Sequence, residues 1–80
     1  MSERCRYSEP YQDDEYQYRH VILSAAQRLE LRSMRATHRI LSEDEWRNKL
    51  LLQQSPGWQH YAIHPPEPYV LLFRRPLNRN

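Results

Sequence analysis

The chain has 80 residues, and its twelve Lys and Arg residues against ten Asp and Glu residues give a net charge of +2. A chain of this length forms at most one small domain, and it buries too little surface to enclose a deep catalytic cavity. The small positive charge allows local anion recognition but excludes the strong field of a general nucleic-acid-binding protein.

The chain contains one cysteine, Cys5, and no long apolar segment. A lone cysteine excludes an internal disulfide framework and a four-thiolate zinc site, which is typical of an intracellular protein. The first six residues lack the apolar stretch of a secretory signal, and the aliphatic runs at 21–23, 50–52 and 70–73 are too short to cross a bilayer. We therefore expect residues 1–80 to form one soluble domain that has no metal ion, no cofactor and no membrane partner.

The N-terminal part of the chain predicts two strands. Residues 4–8 are predicted to form an edge strand, and residues 9–14 to form a turn because they are rich in turn-forming residues. Residues 15–23 alternate in the period of a strand. This alternation separates two faces: Tyr16, Tyr18, His20 and Ile22 on one, and Gln17, Arg19, Val21 and Leu23 on the other.

Two helix starts follow, each with the spacing of a capping box. Ser24 and Gln27 predict a helix that begins at residue 25 and continues for about two turns. Ser42 and Glu45 predict a second helix, whose acidic first turn suits the positive end of the helix dipole. In this second helix Trp46 and Leu50 are predicted to lie one turn apart on a buried stripe.

The C-terminal part predicts two further strands, at 58–63 and 69–73, from its aromatic and β-branched residues. The prolines between them exclude a helix and favour an extended connection over a tight hairpin. The order is therefore two strands, two short helices and two strands. This order predicts an α+β domain with an antiparallel sheet and its helices on one side.

Several hydrogen-bond donors have the chemistry of an anion site. The arginine guanidinium has a planar fork that matches two phosphate oxygens, and a hydroxyl and an indole N–H can bind others. The candidates are Arg19, Ser55, Trp58, Arg74 and Arg75. The alternative is that the arginines are ordinary solvated surface residues and that Trp58 is a core aromatic.

Two other functions are alternatives to anion binding. Ser55 with His20, His60 or His64 suggests a small hydrolase, but no glycine-rich nucleophile turn frames the serine. His60 and His64 fall in a strand pattern that separates them by roughly 13 Å, which argues against a shared metal ion. Arginines interleaved with Tyr and Trp suggest a single-stranded nucleic-acid module, but the acidic runs at 13–15 and 43–45 would repel a polyanion.

Five blocks of the chain, in the same order, resemble the Cks family of cyclin-dependent kinase regulatory subunits. The blocks are YQYRHVIL at 16–23, SEDEWRN at 42–48, QQSPGW at 53–58, YAIHPPEP at 61–68 and YVLLFRRPL at 69–77. This resemblance implies a four-stranded antiparallel sheet, two short helices between the second and third strands, and no enzymatic activity.

The resemblance also implies an adaptor. Such a protein docks on the catalytic subunit of a cyclin-dependent kinase and binds a phosphothreonine followed by proline on kinase targets, which promotes multisite phosphorylation in the cell cycle. It implies residence in the nucleus and cytoplasm. By position in the motifs, the phosphate-binding residues are Arg19, Ser55, Trp58 and Arg75, while Pro10 stands where the family usually has a lysine.

A kinase-binding surface and a hinge are implied by the same resemblance. The kinase-binding residues are Tyr61, Ile63, His64, Glu67, Tyr69 and Leu72, and the hinge is His64, Pro65, Pro66, Glu67 and Pro68. Opening of this hinge would exchange the last strand between two molecules, so we expect a monomer in equilibrium with a swapped homodimer.

Some segments depart from the family pattern. The hinge has Pro65 where an acidic residue is common, and Tyr69 follows it where a histidine is common. The connection at 23–37 is longer than expected, and residues 49–52 replace a shorter, glycine-containing end of the second helix. The departures at 23–37 and 49–52 fall in or beside helices and loops, so we expect them to alter the helix boundaries more than the sheet.

Overall fold

The computed structural model describes residues 4–77. In chain order the elements are β1 (Arg6–Tyr7), β2 (Tyr11–Gln12), β3 (Tyr16–Ile22), α1 (Ala25–Ser33), a π-helical turn (Glu45–Lys49), β4 (Gln59–Ile63) and β5 (Val70–Pro76). Within this described range, no helix has the length and apolar character needed to span a membrane.

All five strands belong to one antiparallel sheet, in which β3 and β5 are central. β3 pairs with β5 along its whole length, from Tyr16 opposite Pro76 to Ile22 opposite Val70. β4 lies on the far side of β5, while β1 and β2 both pair with the free side of β3. The predicted α+β architecture with four strand positions is confirmed, but one edge position is divided between two short strands.

The predicted turn over 9–14 is wrong at Tyr11 and Gln12, which form β2 opposite Tyr18 and Gln17. The edge strand is interrupted between Tyr7 and Tyr11 for two reasons. Pro10 has no N–H to donate to the ladder. In addition, the Ser8 hydroxyl accepts a hydrogen bond from the backbone N–H of His20 at 3.0 Å.

The core lies on one face of the sheet. Val21, Leu71 and Phe73 are buried there, as alternation of the two central strands requires. Trp46 packs edge-on against Phe73, with ring centroids 5.3 Å apart. The helical segments therefore cover this face, which we call the helix side, and the other side is called the open face.

Helix α1 begins as predicted. The backbone N–H of Gln27 donates to the Ser24 hydroxyl at 3.3 Å, and the Ser24 N–H donates to the Gln27 side chain at 2.9 Å. These two bonds satisfy donors that a helix start otherwise leaves free. The amide nitrogen of Gln27 also donates to the carbonyl oxygen of Leu50 at 2.8 Å, which joins α1 to the end of the π-helical turn.

The second helix departs from prediction. Its capping box is present, since the Glu45 N–H donates to Ser42 and the Ser42 N–H donates to the Glu45 carboxylate. Trp46 and Leu50 are both buried, as predicted. The Leu50 N–H, however, donates to the Glu45 carbonyl five residues earlier, so the turn is π-helical. A π-helical turn is wider than an α-helical turn, so it accommodates one more residue before Leu52. The side chains of Trp46, Leu50 and Leu52 all stay buried.

The residue after this turn, Leu51, has a left-handed backbone with φ 60 and a side chain that is 72% exposed. A left-handed conformation destabilises an L-residue, and glycine adopts it freely. We expect Leu51→Gly to raise the free energy of unfolding by about 0.5–1 kcal/mol, after allowing for the greater entropy of the unfolded glycine chain. Urea denaturation would measure the change.

Leu29→Gly is the matched control for that substitution. Leu29 is similarly exposed, at 63%, but lies inside α1. Glycine in a helix interior should lower the free energy of unfolding by about 1 kcal/mol. Two substitutions of the same chemistry should therefore act in opposite directions, and a loss of stability in both would contradict the strain at Leu51.

The connection between β4 and β5 is a pair of tight turns. The prediction of an extended path for this connection is therefore wrong. The Glu67 N–H donates to the His64 carbonyl, and the Val70 N–H donates to the Glu67 carbonyl, both at 2.9 Å. Pro65 and Pro68 each occupy the second position of a turn, where their fixed φ is favourable. The prolines therefore stiffen a folded connection here.

Candidate functional site

Two central strands position the arginines of the candidate anion site. Gln17 and Arg19 alternate with open-face residues along β3, and Arg75 lies directly opposite Gln17 on β5. Residues paired across an antiparallel ladder share a face, so Arg19 and Arg75 both lie on the helix side of the sheet. Arg74 lies opposite Tyr18 and therefore belongs to the open face.

The loop before β4 brings Ser55 and Trp58 to these arginines. Gly57 has φ 100, a conformation that favours glycine, and it turns the chain between Ser55 and Trp58. The Arg75 Nη1 donates to the Ser55 hydroxyl at 2.9 Å. The guanidinium carbons of Arg19 and Arg75 each lie 4.6 Å from the Trp58 ring centroid.

The four residues predicted for phosphate binding, Arg19, Ser55, Trp58 and Arg75, are therefore in one cluster, which we call the arginine cluster. Trp58 is only 3% exposed, so it is a core aromatic as well as a surface on which both guanidiniums stack. The prediction of a core aromatic is therefore confirmed for Trp58, and its role in anion binding stays a prediction. Nothing in the structure assigns a ligand to the cluster.

Three neighbours of the cluster were not predicted. The Arg75 Nε donates to the Gln17 side-chain oxygen at 2.7 Å, and the Arg19 Nη2 donates to that of Gln54 at 2.8 Å. The Tyr7 ring lies 5.1 Å from the Arg19 guanidinium carbon. Strand alternation places Gln17 on the same face as Arg19, and this is the signal that could have identified it.

The charge of the arginine cluster is uncompensated. Within residues 4–77, neither Arg19 nor Arg75 forms an ion pair with a carboxylate. Burial lowers the pKa of Arg19 from its ordinary value, and the neighbouring Arg75 charge contributes to the lowering. The buried Nε of Arg19 and the buried amide nitrogen of Gln54 have no hydrogen-bond partner in the described part of the chain. Such groups are normally paired in folded proteins, so the described residues leave hydrogen-bonding capacity of the cluster unused.

A shallow depression of about 550 Å³ lies beside the cluster. It is bordered by Arg75 and by the Gln17, Pro56, Gly57, Pro76 and Leu77 residues. The depression therefore places apolar proline and leucine surfaces next to a guanidinium.

The open face carries a second cluster, of aromatic residues, which the sequence did not identify as a site. The Tyr18 ring contacts those of Tyr11 and Tyr61, at centroid distances of 5.4 and 5.8 Å. The Arg74 guanidinium lies over the rings of Tyr16 and Tyr61. We call these five residues, Tyr11, Tyr16, Tyr18, Tyr61 and Arg74, the tyrosine cluster.

Asp13 fixes one edge of the tyrosine cluster. Its carboxylate accepts hydrogen bonds from the backbone of Tyr16 and Glu15 and from the Tyr18 hydroxyl, at 2.7–2.8 Å. These bonds lower the pKa of Asp13, and the bond to the carboxylate raises the pKa of Tyr18 to about 12. The Tyr18 hydroxyl therefore remains protonated and oriented across the physiological range.

The six residues predicted to bind a kinase are distributed over both faces and the hinge. Tyr61 belongs to the tyrosine cluster, and alternation along β5 places Leu72 on the open face. Ile63 pairs with the buried Leu71, and Tyr69 packs against the core with the Arg28 guanidinium 3.8 Å from its ring centroid. His64 and Glu67 lie in the turns, with the His64 Nδ1 3.7 Å from a Glu67 carboxylate oxygen. The structure thus brings only part of this set onto one surface.

Ser55 and His60 do not form a hydrolytic pair. The Ser55 hydroxyl accepts its hydrogen bond from Arg75, and His60 is buried with its Nδ1 accepting from the Leu41 N–H at 2.9 Å. No group of three or more His, Cys, Asp or Glu residues within 4–77 could hold a metal ion.

These features together define a small α+β binding module with an anion-suited cluster on one side of its sheet and an aromatic cluster on the other. The chain belongs to the cyclin-dependent kinase regulatory subunit family, whose model matches residues 5–77. The resemblance noted in the sequence is therefore confirmed, together with the prediction of a regulatory subunit that is not an enzyme.

Several relatives support the assignment. The chain is 53% identical over 75 residues to cyclin-dependent kinases regulatory subunit 2 of Arabidopsis thaliana, which covers 94% of this chain and 84% of the relative. It is 54% identical over 76 residues to the Dictyostelium discoideum regulatory subunit, with 95% and 87% covered. The Saccharomyces cerevisiae regulatory subunit is 52% identical over 83 residues, with 98% of this chain but 55% of the relative covered.

Proposed function

We propose that the chain is an adaptor that binds the catalytic subunit of a cyclin-dependent kinase and docks phosphothreonine-proline segments of its targets, which promotes their multisite phosphorylation. The observation that supports this best is the arginine cluster, in which Arg19 and Arg75 stack on the Trp58 ring and have no carboxylate partner among residues 4–77. Guanidinium groups bind phosphate through charge-assisted hydrogen bonds.

The depression beside Arg75 supports the proline in the proposed ligand. A residue that follows the phosphothreonine would extend away from the guanidinium, and the borders of the depression include Pro56, Pro76 and Leu77. These are small apolar surfaces suited to a proline ring. The Ser55 hydroxyl, already held by Arg75, can donate its own hydrogen to a phosphate oxygen.

The two faces of the sheet support an adaptor that holds kinase and target together. The arginine cluster lies on the helix side, whereas Tyr61, Leu72 and the tyrosine cluster lie on the open face. Aromatic side chains and arginine are enriched at protein interfaces. We propose that the kinase binds the open face and the hinge turns, which leaves the arginine cluster accessible to a target.

Calorimetric titration with a phosphothreonine-proline peptide and its unphosphorylated form tests the phosphate function. The proposal requires binding of the phosphorylated peptide only. A preference for a single-stranded oligonucleotide, with a steep dependence on salt, would instead support a nucleic-acid module.

Capture of a cyclin-dependent kinase from an extract of dividing cells tests the proposed kinase binding. Failure to capture any such kinase would contradict this part of the proposal.

We further propose that the hinge allows exchange of β5 between two molecules. β5 is central in the sheet, and its connection to β4 is the proline-rich pair of turns. Opening these turns would let β5 complete the sheet of a second molecule through the same pairings. We expect a concentration-dependent mixture of monomer and dimer. The dimer fraction should be smaller in Pro65→Glu, because the fixed φ of Pro65 and its restriction of His64 also suit the extended path of an open hinge.

Light scattering coupled to chromatography measures this equilibrium. Samples should be incubated for long enough to allow slow exchange before they are loaded over a wide range of concentrations. A single monomeric mass at every concentration, unchanged by Pro65→Glu, would show that the hinge does not open.

A further inference from the structure

Gln17 holds an arginine of the arginine cluster with an uncharged acceptor. Its side-chain oxygen accepts from the Arg75 Nε at 2.7 Å, while the Arg75 Nη1 donates to Ser55 at 2.9 Å. Two bonds from different elements thus fix the guanidinium plane, one from β3 and one from the loop before β4. Arginines in folded proteins are commonly held by carboxylates, which would cancel the charge while fixing the side chain.

The second arginine is held in the same way. The Arg19 Nη2 donates to the Gln54 side-chain oxygen at 2.8 Å, and Gln54 is 8% exposed. Both acceptors are neutral amides, so two full positive charges remain beside the Trp58 ring. The two glutamines therefore orient the guanidiniums without neutralising their charge.

Within residues 4–77, no carboxylate forms an ion pair with Arg19 or Arg75. This includes Glu15, whose backbone carbonyl accepts from Leu77 at the border of the depression. Tyr7, from β1, contacts Arg19, and burial raises the pKa of its hydroxyl, so it stays neutral. The Arg47 Nη1 donates to the Gln54 carbonyl oxygen, and the Arg47 Nη2 forms an ion pair with Glu43. Asp13 accepts from Tyr18 of the open face, on the other side of the sheet. The loop residues 53–58 contain no charged side chain.

We propose that Gln17 sets the charge of the phosphate site, so that the site selects the dianionic form of a phosphate group over monoanions. The inference rests on the proposed phosphate function and names the ligand charge that the site requires. A phosphomonoester carries nearly two negative charges at neutral pH and about one below its second pKa, near 6. Two uncompensated guanidiniums match the dianion and exceed the charge of a monoanion.

Gln17→Glu tests this because it changes charge and little else. The carboxylate has the same shape as the amide and would pair with Arg75, which cancels one positive charge and repels the ligand. We expect a phosphothreonine-proline peptide free of other acidic groups and histidine to bind about tenfold more weakly at pH 7.5. The repulsion scales with the charge of the ligand. At pH 5, where the peptide carries about one negative charge, Gln17→Glu should therefore bind it only about threefold more weakly than the wild type does.

Two further variants separate charge from structure. Gln17→Met is uncharged and cannot accept a hydrogen bond, and its affinity should lie between those of the wild type and Gln17→Glu, with the same loss at both pH values. Gln59→Glu adds the same charge at an exposed residue opposite Arg74, on the open face, and should leave affinity unchanged. Circular dichroism shows whether each variant is folded at both pH values.

The outcomes distinguish this inference from the proposed function. Absence of phosphopeptide binding by the wild type would overturn both. Binding by the wild type, with equal losses in Gln17→Glu and Gln17→Met at both pH values, would overturn the charge-setting role alone. If Gln17→Glu does not fold, the wild type still provides a test. Its affinity should fall about tenfold between pH 7.5 and pH 5, as the ligand loses charge, and a constant affinity would overturn the inference.

Discussion

Replacing Arg75 by Ala should weaken binding of a phosphothreonine-proline peptide by roughly 1.5–3 kcal/mol, the scale of hydrogen bonds to charged groups. The substitution removes a guanidinium that is already oriented by Gln17 and Ser55, so the ligand loses a prepared donor. It also leaves one positive charge at the site where there were two. Titration calorimetry at pH 7.5 gives the affinities directly.

Arg74→Ala is the matched control, because the two arginines are adjacent in sequence and lie on opposite faces. The Arg74 guanidinium lies 4.2 Å from the Tyr16 ring centroid, within the tyrosine cluster. Its loss changes the net charge equally but should leave phosphopeptide affinity within about threefold. Equal losses in the two variants would mean that overall charge, rather than the arginine cluster, attracts the peptide. Unchanged affinity in Arg75→Ala would remove Arg75 from the site.

The sheet could be predicted from sequence because the residues of both central strands alternate between its two faces. Val21 on β3 and Leu71 and Phe73 on β5 follow period 2, and a shift of one residue would expose all of them. The start of α1 could also be predicted, since Ser24 and Gln27 interact locally. Local chemistry and alternation therefore account for most of the fold.

The second helical segment could be predicted only in part. The capping box at Ser42 is local, but the hydrogen bond from Leu50 back to Glu45 depends on fitting Trp46, Leu50 and Leu52 into one core. The turns of the hinge have a similar origin. Pro65 and Pro68 are compatible with an extended path and with a turn, and pairing of β4 with β5 selects the turn.

The arginine cluster could be predicted because motif positions identified its four members, although alternation alone did not decide between Arg74 and Arg75. The register of β3 against β5 decides it, since Gln17 faces Arg75. Of the neutral acceptors, Gln17 could have been placed on the face of Arg19 by alternation along β3, whereas Gln54 has no distinctive signal in a single sequence. The tyrosine cluster is assembled from β2, β3, β4 and β5, and no local pattern joins residues so far apart in the chain.

Mild acid should destabilise this fold through His60, by about 3 kcal/mol between pH 6.5 and pH 4. The side chain is 5% exposed, and burial lowers its pKa from 6.5 to about 4. Its Nδ1 accepts a hydrogen bond from the Leu41 N–H, which requires that nitrogen to be unprotonated. This bond joins β4 to the segment before the π-helical turn, so protonation would also break a tertiary contact.

The sign of this pH dependence follows from the protonation of His60 in the folded and the unfolded protein. The imidazole is neutral in both states above pH 6.5, and stability is then unaffected. Below pH 6.5 the unfolded chain takes up a proton that the folded protein excludes until about pH 4. The free energy of unfolding should therefore fall by up to about 1.4 kcal/mol per pH unit in this interval. Arg39 and Ser42 lower the pKa of Glu45 from 4.5 to about 2, so its loss of stabilisation falls mainly below this interval.

Urea denaturation at several pH values between 7.5 and 4.5 measures this slope, and two asparagine variants assign it. His60→Asn retains an acceptor for the Leu41 N–H but cannot titrate, so it should be less stable at pH 7.5 and should lose most of the slope. His38→Asn removes an exposed histidine and should keep the wild-type slope. A slope that survives His60→Asn would show that another group causes the acid sensitivity, and a wild type whose stability is constant over this range would contradict exclusion of the proton from the core.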